Sequence, residues 1–328
     1  MQRLISFDIA KALCIILVVI GHYFPDNAPA WYIGLHNTIY LFHMPLFMFA
    51  SGYIYNATKK ETSYGAFITR KVKRLMIPYF SVSFIVITIK LLTQGNALVE
   101  NPVTIMSYLQ VFWLPSAGFF LWFIWALWWI FVLIPAFKTK QSRMVLFALS
   151  VILFFLPIDF PSTFCLAEFK DMLIYFMLGV VCYDYKALFS VAVNRFPFSG
   201  IAIFAICVTT SQVYVSNEIN LYFIPAFAGI LMTMQLSRII ETKTKANHLK
   251  WLMQLSSSSY IIYLFHTTFE GFAKSICHKI PFIANGTSNV SFIIGAVIII
   301  SCGIVVPVLL HKFVLSKSRA TRFLFGLK

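Results

Sequence analysis

FDIAKALCIILVVIGH, residues 7–22, decides the fold class of this chain. From Ala12 to Ile20 every residue is apolar, with no proline and no alternation of polar and apolar positions. With its flank the run covers 9–24, close to the ~20 apolar residues that cross a bilayer core as a helix. A spanning β-strand would be shorter and would alternate. Polar backbone must be satisfied internally in lipid, so the run reads as a transmembrane helix.

Working outward, nine further runs of the same kind follow: 33–55, 75–93, 118–137, 144–158, 170–184, 198–215, 220–239, 255–273 and 290–311. The segment 101–117 reads as an extra interfacial or re-entrant piece. Composition agrees. Of 328 residues, 60% are apolar and 11% charged, with a mean hydropathy of +0.83. A soluble domain carries roughly 25% charged residues. A soluble enzyme, a disordered chain and a secreted disulfide scaffold are thereby excluded. The expectation is an all-α polytopic membrane bundle of about ten helices, with residues 1–328 forming a single membrane domain and no soluble extracytoplasmic domain.

The net charge of +15 would suggest nucleic acid on a soluble protein. Here its distribution gives an orientation instead. With the N-terminus inside, 21 Lys and Arg fall in inner segments and only Lys90, Lys170, Lys274 and Lys279 fall outside. Retention of cations on the cytoplasmic side then puts both termini in the cytoplasm and makes the helix count even. No nucleic-acid partner is expected. A cleaved signal peptide ending near Ala28-Pro29-Ala30 is disfavoured by that proline and by the polar His22. The six cysteines show no metal-ligand spacing and read as small packing residues, although Cys165 and Cys277 would both face outward. No metal is expected.

Ionisable residues within membrane spans are functional candidates by default. The first helix holds Asp8, Lys11 and His22. Lys11 and His22 are eleven residues apart, just over three turns, so they share a face about 16 Å in length. Asp8 precedes Lys11 by three and can pair with it. A snorkelling lysine and an interfacial histidine are the blander alternative. In the second run (33–55), His36 and His43 are seven apart and share a face; within LFHMPLFMFASGY (41–53), Pro45 kinks the helix and Ser51-Gly52 permits close helix approach. ITRKVKRLMIPY (68–79) gathers Arg70, Lys71, Lys73 and Arg74, either as inward-retained charge or as a phosphate clamp. In SSSSYIIYLFHTTFEGF (256–272), His266 and Glu270 form an i,i+4 pair towards the outer half, structural or catalytic. LWFIWALWW (121–129) reads as interfacial aromatic packing. No nucleotide loop, zincin helix, GxSxG turn or voltage-sensor arginine series is present.

These motifs come in a set order: FDIAKALCIILVVIGH, LFHMPLFMFASGY, RKVKRLMIPY, LWFIWAL, YFMLGVVCYDY (175–185) and SSSSYIIYLFH. Together they resemble the acyltransferase-3 family of integral membrane acyltransferases, over nearly the whole chain. The Asp-Ile-Ala-Lys form looks most like sugar O-acetyltransferases, the fucose 4-O-acetylase-like subgroup. The family pattern of a basic residue, ten residues and a histidine falls on Lys11 and His22. Its inner Arg-x-x-Arg motif falls on Lys71-Val72-Lys73-Arg74, with lysine as its first residue.

What the resemblance implies is transfer of an acyl group, expected to be acetyl, from cytosolic acyl-CoA to a hydroxyl of a surface glycan or its lipid-linked precursor, in a bacterial cytoplasmic membrane. His22 would be the base or acyl carrier, with Lys11, Asp8 and His43 beside it. Lys71, Arg74, Arg70, Lys73 and Lys11 would hold acetyl-CoA. Ser51, His266 and Glu270 would meet the acceptor, and Lys11 and His22 would border one conduit through the bilayer. A secondary transporter or flippase of a sugar-lipid intermediate is the alternative. It should show two matched halves with broken helices, and none is visible in the sequence.

Overall fold

A computed structural model describes residues 4–95, 99, 101–215, 222–284 and 288–327. Arg3 and Lys328, two of the inner cations, and the Asn285-Gly286-Thr287 stretch, which has the form of a glycosylation sequon, lie outside the described residues. The chain is about 80% helical, and no strand occurs among the described residues. The principal helices are α1 (Ile5–His22), α2 (Ala30–Tyr40), α3 (His43–Thr58), α4 (Tyr64–Thr93), α5 (Phe119–Ala136), α6 (Lys140–Phe155), α7 (Leu166–Asp184), α8 (Lys186–Asn194), α9 (Ser199–Val215), α10 (Phe223–Lys243), α11 (Lys250–Cys277) and α12 (Asn289–Leu315). Among the described residues α1, α4, α5, α10 and α12 are long and apolar enough to cross a membrane. α8 and the helix Ser199–Thr210 meet at 77° and together pass the same test. This is a membrane protein.

Local chemistry sets the helix starts. Ser63, Thr139 and Ser288 each accept a backbone N–H of the first turn of α4, α6 and α12. In α6, Ser142 completes a reciprocal cap with Thr139.

α1 runs through the middle of the bundle against α3, α10, α11 and α12. Its buried residues, from Phe7 to Gly21, lie on more than one face, as expected of a helix enclosed by others. α3 crosses α7 at a contact that only glycine permits. A Cβ on Gly52 would stand 1.9 Å from the Phe176 carbonyl oxygen, and one on Gly179 would stand 2.0 Å from that of Phe49.

The expected single span 33–55 is two helices. α2 ends at Tyr40 and α3 begins at His43, with the break at Leu41–Phe42. Proline clashes with the carbonyl four residues earlier and lacks an N–H, which favours a break at Leu41 ahead of Pro45. Pro45 instead occupies the first turn of α3, where its N–H would have had no partner. His36 and His43 therefore do not share a helix face.

LWFIWALWW packs into the core along one side, with Trp122, Phe123, Trp128 and Trp129 half-buried. Leu121, Ile124, Trp125, Ala126 and Leu127 are all buried. The segment before it folds as a loop with one helical turn, Ser107–Gln110. The Tyr79 hydroxyl holds it down by bonding the carbonyls of Val111 at 2.8 Å and Leu114 at 3.0 Å. Cys165 and Cys277 are free thiols, as are the other four cysteines.

Candidate active site

One end of the bundle opens into a cavity of about 670 Å³. The end of α1 supplies His22 and Tyr23, and the α2–α3 break supplies Tyr40 and His43. α4 adds Lys90 and Thr93, the start of α5 adds Gly118 and Phe120, and α7 adds Asp171 and Tyr175. α11 contributes Tyr263, Thr267, Thr268, Glu270 and Lys274. The wall mixes apolar surface with many polar groups, among them two histidines, two lysines, Asp171 and Glu270, so it can both enclose and orient a small molecule.

His22 and His266 meet beside this cavity, with ring centroids 4.8 Å apart and planes inclined at 55°. His22 is on the cavity wall, and His266 is fully buried behind it. Phe120 presents its ring edgewise to both, at 6.1 Å and 5.3 Å. Nδ1 of His266 lies 2.9 Å from the Tyr263 carbonyl and 3.1 Å from that of Ile262. A carbonyl only accepts, so Nδ1 carries the proton and Nε2 is left with a lone pair. Among the described residues this Nε2 is buried without a hydrogen-bond partner.

His43 is set in the same way. Its Nδ1–H donates to the Ile39 carbonyl at 2.9 Å, reaching back across the helix break. The break thus orients a wall histidine. Glu270 fits a niche made by glycine: a Cβ on Gly303 would be 2.8 Å from Glu270 Cγ and 2.9 Å from Val19 Cγ1.

The other expected residues lie elsewhere. Lys11 bonds Asp8 Oδ1 at 2.9 Å, and the Ser256 hydroxyl donates to the same oxygen at 2.9 Å. That trio ties α1 to α11 near the end remote from the cavity, and neither Lys11 nor Asp8 is on the cavity wall. Lys71 turns into an aromatic cage, its ammonium 3.2 Å from the Phe131 ring centre, 5.2 Å from Phe67 and 6.0 Å from Tyr55. A π-helical turn from Val72 to Met76 breaks the α register there, so the spacing of Lys71 and Arg74 does not follow the ordinary helix count. Arg70, Lys73 and Arg74 are exposed. Arg70 bonds Thr62, and the carbonyl of Arg74 accepts from Tyr260. Ser51 is half-buried on α3 and does not line the cavity.

Sequence reasoning missed several wall groups. Tyr40 stacks on His36 at 4.2 Å and meets His43 at 4.8 Å. Lys90 and Lys274 are two of the four lysines outside the inner segments, a scarcity that could have marked them. Arg143, counted as a loop cation, is instead buried and bound to Asp184.

The family model described as an acyltransferase domain matches residues 4–312. The chain belongs to the acyltransferase-3 family. This family member is similar to nodulation protein NolL of Mesorhizobium japonicum, 28% identical over 169 residues covering 49% of this chain and 44% of that protein. It is also similar to nodulation protein NolL of Sinorhizobium fredii, 31% identical over 164 residues covering 48% and 43%. The chain thus spans less than half the length of these curated relatives. No solved structure matches this acyltransferase-3 chain. The family match and the order of motifs cover the same stretch, so the cavity lies inside the acyltransferase domain itself.

Proposed function

We propose that this protein is a membrane O-acyltransferase. It moves an acetyl group from acyl-CoA to a hydroxyl of a cell-surface glycan or its lipid-linked precursor, in the bacterial cytoplasmic membrane. The observation that carries the reading is the convergence of His22, His266 and Glu270 at one cavity within an acyltransferase domain. Both termini face the cytoplasm in this reading, as the lysine and arginine distribution favours. The exposed Arg70, Lys73 and Arg74 then face the cytosol and suit the phosphates of CoA.

His22 acts as general base at the cavity. The acceptor oxygen gives its proton to the His22 ring and attacks the thioester carbonyl carbon. The C–O bond forms, the C–S bond breaks, and the CoA thiolate recovers the proton from His22. Asp8 and Lys11 brace α1 against α11, so the geometry supports a positioning role for them.

The test uses purified protein in nanodiscs with radiolabelled acetyl-CoA and a panel of methyl glycosides. Transfer of label to a glycoside, abolished by His22→Ala in a protein that still binds acetyl-CoA, supports the reading. Full transfer by His22→Ala overturns the base assignment, and export of unmodified sugar-lipid without transfer would favour a transporter.

A further inference from the structure

We infer that His266 is a positioning residue that fixes the tautomer of His22. The inference rests on the reading of His22 as the base. The only proton on a neutral His266 is committed, through Nδ1, to the carbonyls of Tyr263 and Ile262. Nε2 can then only accept. It is buried where water does not reach it, and an acceptor in that position is costly unless a donor comes to it.

The neighbouring ring is that of His22. At 4.8 Å between centroids, facing nitrogens of two imidazoles come within hydrogen-bond reach when the outer ring turns about its own axis. Phe120, edge-on to both rings, limits other motions. A bond from a His22 N–H to His266 Nε2 leaves the second His22 nitrogen deprotonated and facing the cavity. That nitrogen takes the acceptor proton, and the resulting imidazolium keeps its first N–H on His266 until the thiolate removes the other proton. His266 thereby does what a carboxylate does behind the histidine of a serine hydrolase, but with a neutral group. A neutral partner avoids placing a second buried charge beside the ring.

The test compares His266→Phe, His266→Asn and His266→Gln in the full-length protein. Glutamine can place an acceptor oxygen near the position of Nε2, whereas asparagine is too short and phenylalanine has none. Phe and Asn are expected to lower kcat for acetyl transfer by about 100-fold, the scale of a misaligned general base, with KM for acetyl-CoA within twofold. Gln is expected to restore most of the loss.

An activity-independent arm reads ¹⁵N chemical shifts of the His22 ring in histidine-labelled protein. Wild type and His266→Gln should show one neutral tautomer, and His266→Asn or His266→Phe a mixture. Unchanged His22 shifts in both Asn and Phe variants, or wild-type kcat in either, overturn the inference. Absence of any transfer by wild type would overturn the proposed function instead, and the ¹⁵N shifts would still decide the role of His266.

Discussion

Arg143 and Asp184 face each other through two parallel bonds, Nε to Oδ2 and Nη2 to Oδ1, each 2.7 Å long. Both side chains are nearly excluded from solvent, at 5% and 6% exposure. Asn56 donates to Asp184 Oδ1 and to the Val180 carbonyl, both at 2.9 Å, so α3, α6 and α7 are fastened at one point. Removing the guanidinium leaves a buried carboxylate without its charge partner and with only the Asn56 amide bonded to it, which costs about 3–5 kcal/mol. Arg143→Ala should therefore lower the melting temperature in detergent by several degrees and reduce the folded yield. The double variant Arg143→Met, Asp184→Leu should recover much of that loss.

The Gly52–Gly179 crossing predicts a steric failure. A methyl group at either position would overlap backbone rather than a movable side chain. Gly52→Ala and Gly179→Ala should each destabilise by about 1–3 kcal/mol or more, the range for overpacked cores. Size-exclusion profiles and thermal unfolding would register it, while Gly34→Ala, which meets nothing within 4 Å, should behave as wild type.

Lys71 and Arg74 should separate in their effects. The caged ammonium of Lys71 contributes about 0.5–2 kcal/mol through its aromatic contacts. Lys71→Ala should thus lower thermal stability with KM for acetyl-CoA nearly unchanged. Arg74→Ala should raise that KM at low salt and leave stability within about 0.5 kcal/mol, as surface changes usually do. Titration of KM against salt concentration for the two variants would settle the division.

Gly303 predicts a defect transmitted through Glu270. Alanine there would press on the Glu270 side chain and on Val19. Transfer by Gly303→Ala should fall by about tenfold, since small misplacements of a site carry large rate penalties. Circular dichroism should remain that of wild type.

Much of this was legible in the sequence, for stated reasons. Among the described residues the apolar runs fall on helices, with 33–55 split in two and five or six of the helices long and apolar enough to span, because lipid leaves the backbone no other way to satisfy itself. His22, His43 and Glu270 stood out because ionisable groups within such runs need a reason to be there. Their meeting was not legible, since α1 and α11 lie more than two hundred residues apart in sequence and spacing within one helix says nothing about its neighbour. The break at Leu41–Phe42 was misplaced because proline acts on the carbonyl four residues before it, not at its own position. Arg143 passed for a loop charge because its partner, Asp184, lies 41 residues away inside YFMLGVVCYDY. That Lys71 lies among Phe131, Phe67 and Tyr55 was not legible, because a π turn leaves no trace in residue spacing.

The cavity lies at the end of the bundle opposite the exposed Arg70, Lys73 and Arg74. A donor whose phosphates sit at those cations would enter from one side of the bundle and reach its thioester through to His22, where it would meet an acceptor that enters from the other side. Chemical activation carried out by metabolism on one side would then be consumed on the other. The cell would need no carrier to export the activated donor, and only the small acyl fragment would make the crossing.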